Sequence, residues 1–411
     1  MKHRGIILLT LLTLLFFYTG LKVSQVYEHF GTPFTPQKRW SAWLIALVFV
    51  FLAIGWQFIY HWNTEALDTT WFRVLVWTGS ICLGFWAIFL LFSLIFDACH
   101  IIVLAFSKLS PSFINSLSPD PERRKFLSRC AGIGLAGISG GLAGIISFAG
   151  FIEAMAGAKL KTVVIPIEDL PDGLKGLKIA QISDLHVGPT IRHSYVENIV
   201  AQVNSLEADI IAITGDLVDG SPESLDYHLR PLQKLKARLG VFYVTGNHEY
   251  YWGVENWIEK VTQLGFIPLL NQNRIVEHQG IKILVAGVTD TSGHQFLDSH
   301  RSDPKKAANA QEQCPFRLLL AHRPDSCFEA EPFGFHLQLS GHTHAGQFFP
   351  WSLFVRLAHK YYKGLNRHER MWVYVNSGSG YWGPANRFAN RSEITLLQLS
   401  KENSTKASEK V

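Results

Sequence analysis

Cysteine pairs at metal-binding spacing are absent from this chain. It has 5 cysteines among 411 residues, and no two of them form a CxxC arrangement. Zinc knuckles and thioredoxin-like redox sites depend on such pairs, so the sequence argues against both. Cys314 and Cys327 lie outside the long apolar runs. They are either a disulfide pair, if this part of the chain faces an oxidising compartment, or two separate thiols.

Charge is also scarce. Lys, Arg, Asp and Glu make up 17% of the chain, and the formal net charge is +5. Part of the positive excess lies beside apolar runs, and there is no basic stripe of the kind that binds nucleic acid. We therefore expect no nucleic-acid partner. There is no internal repeat, and the polar end, residues 401–411, is predicted to be a disordered tail.

Apolar residues are abundant and are concentrated before residue 157. This distribution predicts a transmembrane region, residues 1–157, and a globular domain, residues 158–400, which is long enough for one α/β core. Four apolar runs of the first region are long enough to cross a bilayer, which takes about 20 residues. The predicted spans are residues 5–22, 41–60, 74–106 and 131–152.

Two features of these spans leave alternatives open. Asp97 and His100 interrupt the third span; we place them at its interface end, the alternative being an intramembrane polar site. The fourth span contains the GxxxG pairs Gly137/Gly141 and Gly140/Gly144. This spacing favours close helix packing within the bundle, and a homodimer through the same face is the alternative.

Lysine and arginine are concentrated between spans one and two and between spans three and four. By the positive-inside rule those loops are cytoplasmic, which predicts that the globular domain lies outside the cytoplasm. Arg123 and Arg124 precede the fourth span and resemble a twin-arginine export signal, the alternative being a plain basic anchor. We therefore expect a bacterial inner-membrane protein with an extracytoplasmic domain. One span more or fewer would reverse that orientation.

Short β-branched, apolar runs alternate with helix-like stretches after residue 158. The predicted strands are residues 162–167, 177–182, 209–213, 241–245, 281–288, 317–321, 336–340, 372–376 and 393–399. The predicted helices are residues 192–205, 224–238 and 254–263. Such alternation predicts an α/β domain built in layers.

Four of these strands are followed by fragments rich in His, Asp and Asn. The fragments are D-L-H from Asp184, G-D from Gly215, G-N-H-E from Gly246 and G-H-T-H from Gly341. Open α/β folds build their sites at strand ends, so we expect these side chains to converge. Without cysteine they suit hard or borderline divalent ions, with room for two. The pattern predicts a two-metal hydrolase in which Asp216 is the natural carboxylate for both ions to share.

The ordered set of fragments, with a single His322 between the last two, resembles the calcineurin-like metallophosphoesterase superfamily, particularly its membrane-anchored subgroup, over residues 176–399. The resemblance implies an α/β four-layer sandwich of two mixed β-sheets flanked by helices. It implies one ion held by Asp184, His186 and His344 and a second held by Asn247, His322 and His342, with Asp216 shared. His248 would give a proton to the leaving oxygen or stabilise the transition state.

The expected activity is cleavage of a phosphodiester or pyrophosphate by a hydroxide that bridges two divalent metal ions. Mn, Fe and Zn all fit such ligands. One alternative is a lipid-linked pyrophosphatase of the UDP-2,3-diacylglucosamine type, which acts in lipid A synthesis. A protein phosphatase has no positive support in the sequence. A catalytically silent metal-binding signalling module is an alternative of another class, but the intact ligands and proton donor argue against it.

Side chains near the fragments suggest how substrate binds. Arg323 and Arg387 are candidates to hold a substrate phosphate through bidentate contacts. Tyr250, Tyr251 and Trp252 are candidates for a pocket wall. The stretch after Gln347 mixes aromatic and basic residues, which favours either a lipid headgroup interface or a loop packed over the sheet. The partners expected are thus a phosphoester, which is lipid-linked in the pyrophosphatase alternative, and the bilayer.

Overall fold

The computed structural model describes residues 13–22, 36–55, 59–60, 69–109 and 120–402. The chain divides into two compact units, Met1–Phe151 and Ile152–Val411. The first contains helices Pro36–Val50 and Thr70–Leu109 and most of helix Pro121–Met155. A short π-helix, Phe51–Gly55, continues the first of these.

Two helices of the described residues are long and apolar enough to cross a membrane. They cover Thr70–Val103 and Gly137–Met155, and Trp43–Gly55 is a shorter apolar helix. The predicted third span is indeed one long helix. Part of the predicted first span and part of the second lie outside the described residues. The count of four spans therefore stays a prediction.

Asp97, the acidic residue of the third predicted span, has two polar partners. Lys22 Nζ lies 2.5 Å from its Oδ1, and the Tyr18 hydroxyl donates to its Oδ2 at 2.7 Å. An unpaired carboxylate among apolar helices is costly, and this ion pair offsets that cost. The contact ties the helix of residues 13–22 to the helix Thr70–Leu109.

The described part of the second unit, residues 152–402, contains twelve strands in two mixed sheets. The strands are β1 Lys159–Ile167, β2 Lys178–Ile182, β3 Ile210–Ile213, β4 Gly240–Tyr243, β5 Ile267–Pro268, β6 Gln272–His278, β7 Ile281–Gly287, β8 Phe316–Leu320, β9 Leu337–Ser340, β10 Gly364–His368, β11 Met371–Val375 and β12 Glu393–Lys401. The first sheet has the order β1-β12-β2-β3-β4-β5, and the second β10-β11-β9-β8-β7-β6. Strands β2 to β5 run parallel in the first sheet, as do β7, β8, β9 and β11 in the second.

The core lies between the two sheets because alternate side chains of each strand face the other sheet. Ile210 and Phe242 from the first sheet share one buried cluster with Leu318 from the second. The neighbouring Leu319 belongs to a different cluster, which also includes Ala307 and Cys327 of the short helices Pro304–Ala308 and Ser326–Ala330. The expected architecture of two mixed sheets flanked by helices is therefore confirmed.

All nine predicted strands are present, with ends that shift by up to three residues. Strands β5, β6 and β10 were not predicted, nor were several short helices. The predicted helix 224–238 is wrong in its second half. An α-helix covers Pro222–Leu229, and a 3-10 helix, Arg230–Lys234, follows. Pro231 lacks the amide N–H that an α-helix needs there. Cys314 and Cys327 are both buried and are not joined by a disulfide.

Candidate metal centre

The predicted fragments follow parallel strands of both sheets. Asp184 comes after β2, Asp216 after β3, Asn247 after β4, His322 after β8 and His342 after β9. Parallel strands present their carboxyl ends at the same edge, so the loops of each sheet emerge together. Side chains from the two sheets then meet across that edge. All seven predicted metal ligands, and His248, lie in these loops.

The backbone in these loops is unusual. Asp184, His186, Asp216, His342 and His344 all have positive φ, between 49° and 68°. Left-handed backbone is uncommon for residues with a Cβ, although Asp and His tolerate it better than most. Such conformations occur where the surrounding structure imposes them, which is frequent at functional sites. Five strained residues in one cluster therefore indicate a site rather than a set of ordinary turns.

Glycines make room for these carboxylates. A Cβ on Gly246 would lie 2.2 Å from Asp216 Oδ1, and one on Gly341 would lie 2.1 Å from Asp184 Oδ2. Either contact is far shorter than van der Waals distance, so only glycine fits. This explains why the G-N-H-E and G-H-T-H fragments each begin with that residue.

One group of candidate ligands consists of Asp184, His186 and His344, whose donor atoms lie within 4.8 Å of one another. His186 Nε2 lies 3.0 Å from His344 Nε2, and His344 Nε2 lies 3.4 Å from Asp184 Oδ1. All three residues are buried. Two ring nitrogens this close, away from water, need a proton or a cation between them.

A second group consists of Asp216, His322 and His342. His322 Nδ1 lies 2.8 Å from the Thr214 carbonyl oxygen, to which it can only donate, so Nε2 of the neutral ring carries a lone pair. That Nε2 is buried, makes no hydrogen bond and lies 3.2 Å from Asp216 Oδ2. A metal-ligating histidine has this form, with one nitrogen fixed by a hydrogen bond and the other free.

Asp216 lies between the two groups. Its Oδ2 is 3.2 Å from His322 Nε2 in one group and 3.9 Å from His186 Nε2 in the other. Although burial alone would raise its pKa, the neighbouring histidines, chiefly His322 and His248, hold the pKa of this carboxyl well below its usual range. Burial lowers the pKa of His342 and of His344 well below the ordinary value. The chain therefore offers an ionised carboxylate and two neutral imidazoles, which are the forms that bind metal ions. For His322, burial opposes the charged ring, but the Asp216 carboxylate outweighs it and raises the pKa to about 10, so an ion bound there would replace a proton.

Asp219 was not among the predicted site residues, yet it contacts two of them. Its Oδ2 lies 3.1 Å from His186 Nδ1, and its Oδ1 makes a short hydrogen bond with His248 Nδ1. His248 Nε2 then faces Asp216 Oδ2 at 3.9 Å. Burial opposes the charged imidazole, but the carboxylates of Asp216 and Asp219 outweigh it and raise the pKa of His248 to about 9. One carboxylate thus orients both rings.

Glu249, the last residue of G-N-H-E, fixes the loop around Asp216. Its fully buried carboxylate accepts from the amide of Asp216 at 3.1 Å, of Leu217 at 2.7 Å and of Gly246 at 2.7 Å. These bonds hold the loops after β3 and β4 together. The side chain is therefore a positioning group for Asp216 and Asn247 and has no open face toward a substrate.

Comparison with known proteins agrees with this geometry. Residues 177–346 match the family of calcineurin-like phosphoesterases. A transmembrane protein with metallophosphoesterase domain from Danio rerio is 32% identical over 377 residues, covering 90% of this chain and 82% of the relative. An uncharacterized metallophosphoesterase from Helicobacter pylori is 40% identical, and the match covers 62% of this chain and 67% of the Helicobacter protein.

The chain belongs to the calcineurin-like metallophosphoesterase family. It is a metal-dependent phosphoesterase with groups of His and Asp that can hold metal ions. Among solved structures, a 5′-nucleotidase precursor from Thermus thermophilus matches with a TM-score of 0.36 at 14% sequence identity. The match covers 54% of this chain and 54% of the nucleotidase chain.

Arg387 of this metallophosphoesterase does not lie where a substrate-binding arginine would. Its side chain is fully buried, and it donates to the carbonyl oxygens of Gly380 at 3.0 Å, Ser377 at 2.7 Å and His344 at 3.2 Å. Its Nη2 also lies 3.1 Å from His344 Nδ1. The predicted phosphate contact is corrected accordingly: Arg387 supports His344 from behind and closes the loop after β11.

Arg323 is placed differently. Its side chain is 27% exposed, its Nε donates to Asp290 Oδ2 at 2.9 Å, and its Nη2 lies 3.5 Å from Asn247 Oδ1. Asp290 follows β7 and is fully buried, so it holds the guanidinium at the edge of the candidate metal centre. Arg323 keeps N–H groups free of protein acceptors within this site, as phosphate binding requires.

Exposed aromatic side chains border His248. The ring of Tyr251 lies 5.3 Å from the imidazole, and that of Trp382 lies 5.4 Å from it. Phe296 lies 5.8 Å from Tyr251. These three residues, which we call the aromatic rim, are 48% to 52% exposed. Tyr251 was expected in a pocket wall, whereas Phe296 and Trp382 were not predicted from the sequence.

Proposed function

We propose that this metallophosphoesterase is a membrane-anchored hydrolase that cleaves a phosphodiester or pyrophosphate with two divalent ions. The position of Asp216 carries the proposal, because its carboxylate lies within 3.9 Å of one ligand group and 3.2 Å of the other. Two groups that meet at a shared carboxylate suit a two-ion centre. The first ion would take Asp184, His186 and His344, and the second Asn247, His322 and His342.

The residues fit such ions on chemical grounds. His322 Nε2 is a buried ring nitrogen with no hydrogen-bond partner, and the His186 and His344 rings bring two nitrogens within 3.0 Å. Ions bound here would neutralise phosphoryl charge and activate the attacking water. Nitrogen and oxygen ligands suit Mn, Fe or Zn, among which availability decides.

The chain's own contribution to bond cleavage lies with His248. Asp219 fixes its Nδ1, which leaves Nε2 directed toward Asp216 and the space beside it. From there Nε2 can donate a proton to the leaving oxygen or stabilise the charge that develops on it. Arg323, held by Asp290, would hold a non-bridging phosphate oxygen through its remaining N–H groups.

Two observations support a membrane anchor. The described residues include two helices long and apolar enough to span a bilayer, and relatives from Danio rerio and Bos taurus are named transmembrane proteins. An extracytoplasmic domain follows from the lysine and arginine distribution. The aromatic rim favours a lipid-linked pyrophosphate as second candidate substrate, because exposed aromatic rings suit an apolar leaving group.

Hydrolysis of bis(p-nitrophenyl) phosphate beside p-nitrophenyl phosphate tests the proposal, with the full chain in nanodiscs loaded with Mn²⁺. We expect diester cleavage, with little cleavage of the monoester. Asp216→Asn should abolish it, whereas His248→Ala should lower turnover about 10²- to 10⁴-fold and leave metal content nearly unchanged. Absence of hydrolysis with two ions bound per chain would favour the silent signalling module instead.

A further inference from the structure

An exposed apolar surface follows the G-H-T-H fragment in the chain. The helix Trp351–Ala358 buries none of its residues. Trp351 is 56% exposed, Leu353 and Phe354 are each 51% exposed, and Leu357 is 85% exposed. A protein surface rarely leaves so many large apolar side chains open within one short helix, and such patches mark docking sites.

Basic residues predominate in the segment that contains this helix, although the Asp325 carboxylate lies 3.7 Å from His359 Nδ1 just beyond its end. From Gly341 to His368 the chain has four lysines and arginines, Arg356, Lys360, Lys363 and Arg367, and no Asp or Glu. A helix with Trp, Phe and Leu on its surface and basic residues beside it suits the interface of a membrane that contains anionic lipid. A protein partner would require acidic groups of its own around an apolar patch.

Both ends of the helix are tied to the candidate metal centre. On one side, a Cβ on Gly346 would lie 2.2 Å from Ser352 Cα, and the Ser352 amide donates to Phe348 at 3.1 Å. On the other side, Thr343 Oγ1 donates to the Tyr362 carbonyl at 2.7 Å, and the His359 ring lies 5.9 Å from that of His342. The helix thus begins and ends against the segment that holds His342 and His344.

The same segment contacts the aromatic rim. Gln347 Nε2 donates to the Trp382 carbonyl at 2.9 Å, and the Trp382 amide donates to Gln347 Oε1 at 2.8 Å. These two bonds fix the loop that carries the Trp382 ring beside His248. The connection to the preceding apolar helix is also short. That helix is of membrane-spanning length and ends at Met155, and β1 begins after only three more residues, Ala156, Gly157 and Ala158.

We infer that the helix Trp351–Ala358 docks on an anionic lipid bilayer and brings the metal centre to the membrane surface. The apolar side chains enter the headgroup boundary, and Arg356 and Lys360 pair with lipid phosphates. Docking itself does not depend on the proposed activity. Its consequence does rest on that activity: the phosphoester would be taken from the bilayer, with its apolar part along the aromatic rim.

Photo-crosslinking in the full chain tests the docking. p-Benzoylphenylalanine replaces Leu357 in one variant and Tyr227, which is 57% exposed and flanked by Glu223 and Asp226, in a matched control. Both are reconstituted in nanodiscs of phosphatidylcholine and phosphatidylglycerol. We expect at least tenfold more lipid adduct at position 357, and several-fold less when phosphatidylglycerol is omitted. Equal adducts at both positions, or crosslinks between two copies at position 357, would overturn the inference.

Comparing hydrolysis of a lipid substrate with hydrolysis of a soluble substrate distinguishes a docking role of the helix from a role in catalysis. Leu357→Glu should reduce hydrolysis of CDP-diacylglycerol in mixed vesicles about tenfold, while hydrolysis of bis(p-nitrophenyl) phosphate changes less than twofold. An equal fall on both substrates would mean that the helix acts by supporting the metal centre, which contradicts a docking role. If neither substrate is hydrolysed by the unaltered chain, the proposed function fails, while the crosslinking result still decides the docking.

Discussion

Asp219 shows how one buried carboxylate can serve two histidines at once. Its two oxygens hold Nδ1 of His186 and Nδ1 of His248. The first contact orients a candidate metal ligand, and the second orients the candidate proton donor. A substitution here therefore acts on metal affinity and on turnover through different atoms of the same side chain.

We predict that Asp219→Asn lowers metal affinity about 10- to 100-fold, as the loss of a carboxylate behind a ligating histidine does. It should also reduce kcat at saturating metal, because His248 loses its acceptor. Metal titration followed by kinetics at saturation separates these effects. Asp226→Asn is the control, since Asp226 bonds to Arg230 and Lys260 and, within the described residues, to no member of the candidate metal centre. Unchanged kcat in Asp219→Asn would contradict the role assigned to His248.

The two arginines should respond differently to the same change. Arg387→Lys removes the planar fork that binds several backbone carbonyls, and each unpaired carbonyl costs about 1–3 kcal/mol. We expect a clear fall in thermal stability. Arg323→Lys should leave the melting temperature nearly unchanged and raise KM. Thermal melting and steady-state kinetics on both variants check this, and a stable Arg387→Lys would refute the structural role.

For individual residues, the ordered motifs predicted the position of the site well, since every predicted ligand lies in the loops that converge. Asp219 was missed although the signal was present: it stands three residues after Asp216 in G-D-L-V-D, within a loop already assigned to the site. Arg387 was misassigned because sequence does not reveal burial. Trp382 reaches His248 through a long-range loop contact that no local pattern predicts.

Among the structural elements, the turn between β4 and helix Asn247–Tyr251 has little tolerance for change. Gly246 lies so close to Asp216 that a methyl group would displace the carboxylate or the backbone. We predict that Gly246→Ala loses most activity and metal binding. Gly265→Ala is the control: its φ is +90° with no atom near the added methyl, so strain of about 1 kcal/mol is the only cost.

The outcome that would contradict this explanation is a Gly246→Ala variant with normal metal content, measured by elemental analysis beside Gly265→Ala.

Strands were predicted well because buried parallel strands are continuous apolar runs. Strand β10, Gly364–His368, was missed because its residues are mostly polar and half-buried. The helix Trp351–Ala358 was not predicted. It is short and begins directly after Pro350, and its aromatic residues mask the helical sequence pattern.

The whole molecule combines an apolar unit with an α/β unit whose core is complete between its two sheets. We predict that the full chain remains in the membrane fraction after alkaline carbonate extraction, because two helices of spanning length resist release. A chain starting at residue 158 should be released at least in part. Immunoblotting of both fractions checks this, and release of the full chain would refute the anchor.

Fold class could be predicted from the sequence because strand pattern and motif order agree with each other. The number of spans could not, since hydropathy alone does not fix where one helix ends and the next begins. Sidedness depends on that number. Under the proposed function, substrate choice would depend on surfaces such as the aromatic rim, which exist only after distant loops have come together.

Five residues of the metal centre adopt backbone that L-amino acids avoid. At about 1 kcal/mol each, their strain approaches the entire net stability of a small domain, roughly 5–15 kcal/mol. The rest of the fold has to offset this cost, so the stability of the domain is linked to the geometry of its metal centre.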